Sequence, residues 1–464
     1  MAEKACCTSP RDSAPELAVP TLRTVGALAW PLALNALLLQ AVLIVDTVLI
    51  TPLGEQSLAA MGLAASLASL VIGSLFAFSN GTQLIVAQAV GARRNNAIRS
   101  GFRAGLLINL LVAGVGIALI QFAAGDLLQR LAETPSIAEQ AMRYLSIFCL
   151  VFVGVAVSQN ITVFFNASGN SRIPFYSNLI ELPVNALLSF LLIHGHAGLP
   201  AMGLAGAAMG TLAAVSLRSI FLLWCLYSGP FAVTLKRGSP SGGALQDVRR
   251  HFVQAWPIAG SFISMTLSLS VCMLFYSRLG VNQFAALTLI FPWVRVGGQI
   301  VTSWAQATGI LVGQILGGGR LDMLDDFVAR AWRFSFCLGL LVALSFVLMC
   351  YSFEWLYPGL QPETLGYLWQ FLPLLILLPL LRTSNTLCGN LLRAGGDAAS
   401  SMKIHMGSQW LVTVPLTVLS VVYLDLSVFW IYSIILLEEV VKAFPFHQRV
   451  YGGHWKRQLH DVSA

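Results

Sequence analysis

The chain has 464 residues, 57% of them hydrophobic and 10% charged, with a formal net charge of +7. So few charges cannot cover a water-soluble globule, and so much apolar surface exceeds the need of one core; a soluble globular protein is excluded and an integral membrane protein remains. The basic residues stand in short loops between apolar runs rather than in one patch, so the charge speaks for orientation in a bilayer and against nucleic acid as a partner.

Residues 1–23 are polar and lack the apolar middle and cleavage site of a secretory signal, so they read as a cytoplasmic tail. The first apolar stretch, Trp30 to Gly54, has membrane length and holds one carboxylate, Asp46. An ionised Asp at the bilayer centre costs at least ~2.5 kcal/mol, so such a group turns to an aqueous cavity or a polar partner. Withdrawal from water disfavours the charged form of a carboxyl, which suits Asp46 to carrying protons. Asn35 and Gln40 precede it on the same helix and either line the same cavity or bond to neighbouring helices.

Polar, Gly-rich and Pro-rich breaks divide the chain into twelve spans with approximate limits 24–50, 57–90, 101–123, 139–166, 171–194, 200–228, 255–279, 284–316, 332–352, 365–392, 402–423 and 427–448. Arginines and lysines collect at alternate ends, which places both termini in the cytoplasm. Arg295 and Arg382 lie at membrane depth, where a cation faces a cavity or pairs with an acid. Glu438, Glu439 and Lys442 read as the end of the last span meeting water. The eight cysteines are mostly scattered singly in apolar runs and indicate neither a metal nor a redox site. No phosphate-binding GxxxxGK[ST] loop and no nucleophile-base set is present, so the chain reads as neither an ATPase nor a membrane enzyme.

The chain repeats itself. Trp30-Pro31 recurs as Trp256-Pro257, and 256 − 30 = 226. At the same offset TQLIVAQAVG, Thr82 to Gly91, recurs as TGILVGQILG, Thr308 to Gly317, and Asp46 maps onto Cys272. Ala167 to Asn170 matches Ala394 to Asp397 with one extra residue. Six spans per copy is even, so the halves run parallel about an axis along the membrane normal, with substrate bound between them. The expected organisation is a lobe at 24–228, a cytoplasmic linker at 229–254, a lobe at 255–448 and a cytoplasmic tail at 449–464.

These residues give a family likeness. The Pro31 to Asp46 spacing, AQAVGA at Ala87 to Ala92 with its copy GQILGG at Gly313 to Gly318, NASGN at Asn166 to Asn170, and GLAGAAMGT at Gly203 to Thr211 resemble the multidrug and toxic compound extrusion (MATE) transporters, and most closely the branch with DNA-damage-inducible (DinF-like) members. The resemblance implies an all-α membrane protein of two six-helix lobes that exports organic, often cationic, compounds in exchange for protons or sodium ions. It implies an ion-coupling site at Asp46, Asn160, Asn185 and Thr211, and a helix bend at Pro31, where proline removes a backbone hydrogen bond. Two departures stand out. The acid expected four residues after Asn185 is Ser189, while Glu181 lies one turn before Asn185 and either supplies that charge or pairs for structure. In the second half, Arg382 occupies the place of an expected acid, which confines acid chemistry to the first lobe; Arg382 either meets an anionic substrate group or balances charge.

Residues and resemblance together point to a proton-coupled exporter of small amphipathic or cationic organic compounds, acting as a monomer in a bacterial inner membrane without a cofactor. Sodium coupling, and a flippase for lipid-linked precursors, are the alternatives.

Overall fold

The structure, a computed structural model, describes residues 21–132, 134–229, 244–276, 278–356 and 361–456. Nearly all of the expected N-terminal tail, the middle of the linker and the end of the C-terminal tail lie outside the described residues. Twelve long helices follow one another: α1 (Leu22–Ile50), α2 (Glu55–Gly91), α3 (Asn95–Leu131), α4 (Pro135–Ala167), α5 (Arg172–His194), α6 (Leu204–Ser228), α7 (Ala244–Tyr276), α8 (Val281–Gly317), α9 (Leu324–Leu356), α10 (Pro362–Ala394), α11 (Ala398–Tyr423) and α12 (Val428–Tyr451). Among the described residues eleven are long and apolar enough to cross a membrane; α12 carries three charged residues inside its apolar run.

Local chemistry sets the ends. Thr21 and Thr24 form a reciprocal cap on α1, and Thr134 accepts the Ile137 amide ahead of Pro135 at the start of α4. Several helices outrun the apolar spans expected for them. α2 has 37 residues, about 55 Å at ~1.5 Å each, against a hydrocarbon thickness of ~30 Å, so polar turns extend beyond the bilayer. For the same reason α7 begins at Ala244, and residues 244–254 of the expected linker are helical.

The backbone reproduces the repeat. The turn between α4 and α5 passes through Gly169 at φ +85°, and that between α10 and α11 through Gly396 at φ +83°, where a side chain would be strained. α1 to α6 form one lobe and α7 to α12 the other. Each lobe has its own apolar core at the end remote from the termini: one includes Ile50, Ala64, Phe152 and Val215, the other Cys272, Phe346, Leu375 and Tyr432. At the end carrying the termini a single core crosses both lobes, joining Val25 and Phe165 to Ile315, Leu391 and Phe446. The lobes therefore share their packing at one end and separate toward the other.

Candidate functional site

Asp46 is buried, 5% exposed, one turn from the end of α1. The amide of Asn185 on α5 donates to its Oδ2 at 3.5 Å, a long contact, and its Oδ1 has no hydrogen-bond partner. Ser189 donates to Asn185 Oδ1 at 2.8 Å, which turns the Asn185 amide nitrogen toward the carboxylate. Ser189 thus serves as an orienting hydroxyl where a second acid was expected. Close packing makes room for this arrangement. A Cβ on Gly206 of α6 would fall 2.6 Å from the Leu192 carbonyl of α5, so only glycine lets the two backbones meet there. Among the described residues no cation pairs with Asp46.

Glu181 is also buried, and Arg218 of α6 holds it at 3.1 Å while donating to Thr162 of α4 at 3.3 Å. Arg218 was missed in the sequence, although an arginine flanked by apolar turns on both sides in α6 is itself a signal. The two remaining predicted coupling residues do not bond to Asp46. Thr211 donates to the Ala207 carbonyl of its own helix at 3.0 Å. Asn160 donates to the Phe102 carbonyl of α3 at 3.2 Å, and its Oδ1 lies beside Gly105, where a Cβ would approach it to 2.8 Å. It ties α4 to α3. Asn35 bonds to Asn178 of α5, Gln40 is exposed, and Pro31 is buried within an unbroken α1.

The second lobe corrects two expectations. Glu438, Glu439 and Lys442 are not a helix end in water: Lys442 bonds to Glu438 at 2.9 Å and to Glu439 at 3.0 Å, with all three side chains largely buried inside the lobe. Acid groups are therefore not confined to the first lobe. Thr413, in a π-helical turn of α11, donates to Glu438 at 2.8 Å, and Asn385 of α10 donates to Glu439 at 2.9 Å. Arg382 lies 3.9 Å from Glu439 and pairs with an acid, one of the roles open to it in the sequence. At the Asp46-equivalent position, Cys272 points at Thr417 at 3.8 Å.

Where the lobes share their core, the repeated motifs clasp each other. Gln88 of α2 donates to the Ala394 carbonyl at the end of α10 at 2.5 Å, and Gln314 of α8 donates to the Ala167 carbonyl at the end of α4 at 2.7 Å. The offsets, 314 − 88 = 226 and 394 − 167 = 227, make these two bonds copies of each other. Gly91 packs on the backbone of Gln314, and Gly317 on that of Gln88, with no space for a Cβ at either. This is the physical reason for the small residues in AQAVGA and GQILGG. About two turns nearer the open end of the cleft, Gln306 of α8 donates to Asn80 at 3.1 Å and Gln83 at 3.3 Å, both on α2.

The MatE family profile matches residues 31–191 and 257–419, two segments whose starts are again 257 − 31 = 226 apart. A protein named "Multidrug resistance protein NorM" from Burkholderia vietnamiensis is 29% identical over 322 residues, 68% of this chain and 67% of that protein, so the match spans about two thirds of that relative's length. Among solved structures, the "eukaryotic MATE transporter AtDTX14" superposes with a TM-score of 0.81 at 18% identity, covering 95% of this chain and 97% of that one. The "outward-facing conformation of a multidrug resistance MATE family transporter of the MOP superfamily" gives 0.80 at 18% identity, covering 93% and 96%.

Proposed function

The chain belongs to the MatE family, and on that premise we propose that it is a secondary active antiporter exporting small amphipathic organic compounds in exchange for protons. It works as a monomer in a bacterial inner membrane with both termini in the cytoplasm, an orientation supported by the alternation of basic loops. The lobes move as units, with residues 244–254 of the expected linker carried on α7, and the arrangement in hand, closed beside the termini, is outward-facing.

The observation that carries this reading is Asp46: a buried carboxylate with one free oxygen and, among the described residues, no cation partner. It sits on the helix best placed to transmit a change. Beyond Pro31 the end of α1 bearing Asp46 packs into the first lobe through Ile50, while Val25 and Leu28 belong to the core shared by both lobes. Protonation removes the charge, relaxes the demand for polar contact with Asn185, and frees α1 to shift at Pro31 against the shared core. Asn160, which ties α4 to α3, and Thr211, whose hydroxyl bonds within α6, act on the site through packing.

Protons are favoured over sodium by the groups around the carboxylate. Sodium needs several oxygen ligands, whereas Asn185 offers Asp46 an N–H and its own oxygen is engaged by Ser189. The test is efflux of a fluorescent amphiphile from proteoliposomes under separately imposed gradients. A proton gradient should drive efflux and a sodium gradient at matched pH should not; efflux driven by sodium alone refutes the proton assignment.

A further inference from the structure

We infer that the cleft between the lobes recognises the anionic group of an amphipathic substrate through Arg295. The inference rests on the transport reading above and narrows its substrate class, away from the organic cations that the family resemblance suggests.

The lobes meet chiefly through α1, α2, α7 and α8. Beyond the first turn of each of these four helices the sequence holds one carboxylate, Asp46, and three guanidinium groups: Arg249 and Arg250 in the second turn of α7, at the end carrying the termini, and Arg295 midway along α8. Asp46 is buried within the first lobe; Arg295 is exposed. The face it occupies follows from helix geometry. Arg295 precedes Gln306 by eleven residues, three turns at ~3.6 residues each, so the two share one face of α8. That face points at the other lobe, because Gln306 bonds to Asn80 and Gln83 of α2. Gln299 and Thr302 fill the turns between, and the stripe passes from exposed at Arg295 to half-buried at Gln306, as it would in descending a wedge-shaped cleft. Arg295 therefore does not face lipid.

The internal repeat sharpens the point. Subtracting 226 maps the stripe Arg295, Gln299, Thr302, Gln306 onto Ser69, Gly73, Phe76, Asn80 of α2, which faces it across the axis with Ser69 and Gly73 exposed. One wall thus carries a guanidinium and the opposite wall a neutral hydroxyl. Among the described residues no acid bonds to Arg295, and a Cβ on Gly298, one turn on, would meet nothing within 4 Å. A permanently charged, five-donor group beside bare backbone, facing the opposite lobe, suits a carboxylate, sulfonate or phosphate and repels an ammonium.

The experiment uses two probes with the same fluorophore and opposite charge, dansylglycine (a carboxylate) and dansylcadaverine (an ammonium), with the full-length protein. Binding is read by fluorescence anisotropy in detergent, and export by efflux from proteoliposomes. The wild type should bind dansylglycine roughly tenfold tighter than dansylcadaverine, Arg295→Lys should keep most of that preference, and Arg295→Glu should reverse it. A wild type that prefers the ammonium, or an Arg295→Glu protein whose preference is unchanged, overturns the inference. Coupled efflux of dansylcadaverine that ignores residue 295 leaves antiport standing and removes the anion site. Charge-dependent binding without efflux of either probe under any gradient does the reverse.

Discussion

The two lobes use one scaffold for opposite electrostatic ends. Arg218 and Lys442 each stand fourteen residues after the first residue of the last helix of their lobe, Leu204 and Val428, and each is buried against carboxylate. On the fifth helix of the first lobe, Glu181, Asn185 and Ser189 are spaced by four; on its counterpart α11, Gln409, Thr413 and Thr417 repeat that spacing. The difference lies in where the acids sit. In the second lobe both carboxylates neighbour Lys442 on α12, and Thr413, Asn385 and Arg382 complete a network in which each charge is compensated where it stands. In the first lobe one carboxylate is compensated by Arg218 while the other, on α1, is left with an amide at 3.5 Å and a free oxygen. A closed network holds a lobe in shape, and an open one can exchange an ion; on the proposed function, rigidity falls to the second lobe and coupling to the first.

The widest separation between the lobes should come from exchanging the acid and its counterpart. Asp46→Asn keeps shape and polarity but cannot release a proton, and it should lower gradient-driven efflux by about 100-fold or more, the scale of losing an essential ionisable group. Cys272→Ser, at the equivalent position of the second lobe, should leave efflux within about twofold. Both proteins should elute as folded monomers on gel filtration in detergent. Equal losses from the two substitutions would show that the lobes share the coupling.

Stability should divide the lobes differently. Breaking a buried ion pair by removing one partner leaves an uncompensated charge and costs about 3–5 kcal/mol, whereas replacing both partners by apolar groups is often neutral. Lys442→Met and Arg218→Met should each lower the unfolding free energy by that scale, read as a lower thermal unfolding midpoint in detergent. The double variant Arg218→Met/Glu181→Met should regain most of the loss. Lys442→Met/Glu439→Gln should regain only part, because Glu438 remains. Full recovery in the second lobe would mean that Glu438 is not part of the network.

Much of this was legible in the sequence, and the failures share a cause. α5 runs Arg172–His194 against an expected 171–194, because its apolar run and its helix end together. α3 runs Asn95–Leu131 against an expected 101–123, because Arg99, Arg103 and Arg130 continue the helix where hydropathy has fallen. The repeat was visible as one shared offset, and Asp46 and Asn185, named together through the family resemblance, stand 3.5 Å apart. Periodicity gives a residue's depth along a helix but not which neighbouring helix its face meets. Asn160 is at a plausible depth and faces α3 instead, and Glu438, Glu439 and Lys442 looked like a water-facing end although they begin ten residues into a helix of 24. Charge compensation between helices distant in sequence, such as Arg218 with Glu181, is a property of packing and leaves no local pattern.

The smallest effects should come from the clasp, where the lobes ought to behave alike. Gln88 and Gln314 make copied bonds across the axis, so removing either should cost the closed arrangement about the same, roughly 1 kcal/mol for one hydrogen bond. By population shift, Gln88→Leu and Gln314→Leu should each raise the share of molecules opened beside the termini about fivefold, and the double variant about 25-fold, if the two bonds are independent. Pulsed electron spin resonance between labels on the exposed ends of α3 and α9 reads that opening directly. Unequal single effects would mean that the closure is not two-fold in its energetics. The asymmetric contacts beside it then become the reason: His251 meets Thr82 at 2.9 Å and Asp247 meets Ser100 at 2.9 Å, both linking α7 to the first lobe, whereas the position 226 residues before His251 is Val25, which packs as a plain hydrophobe.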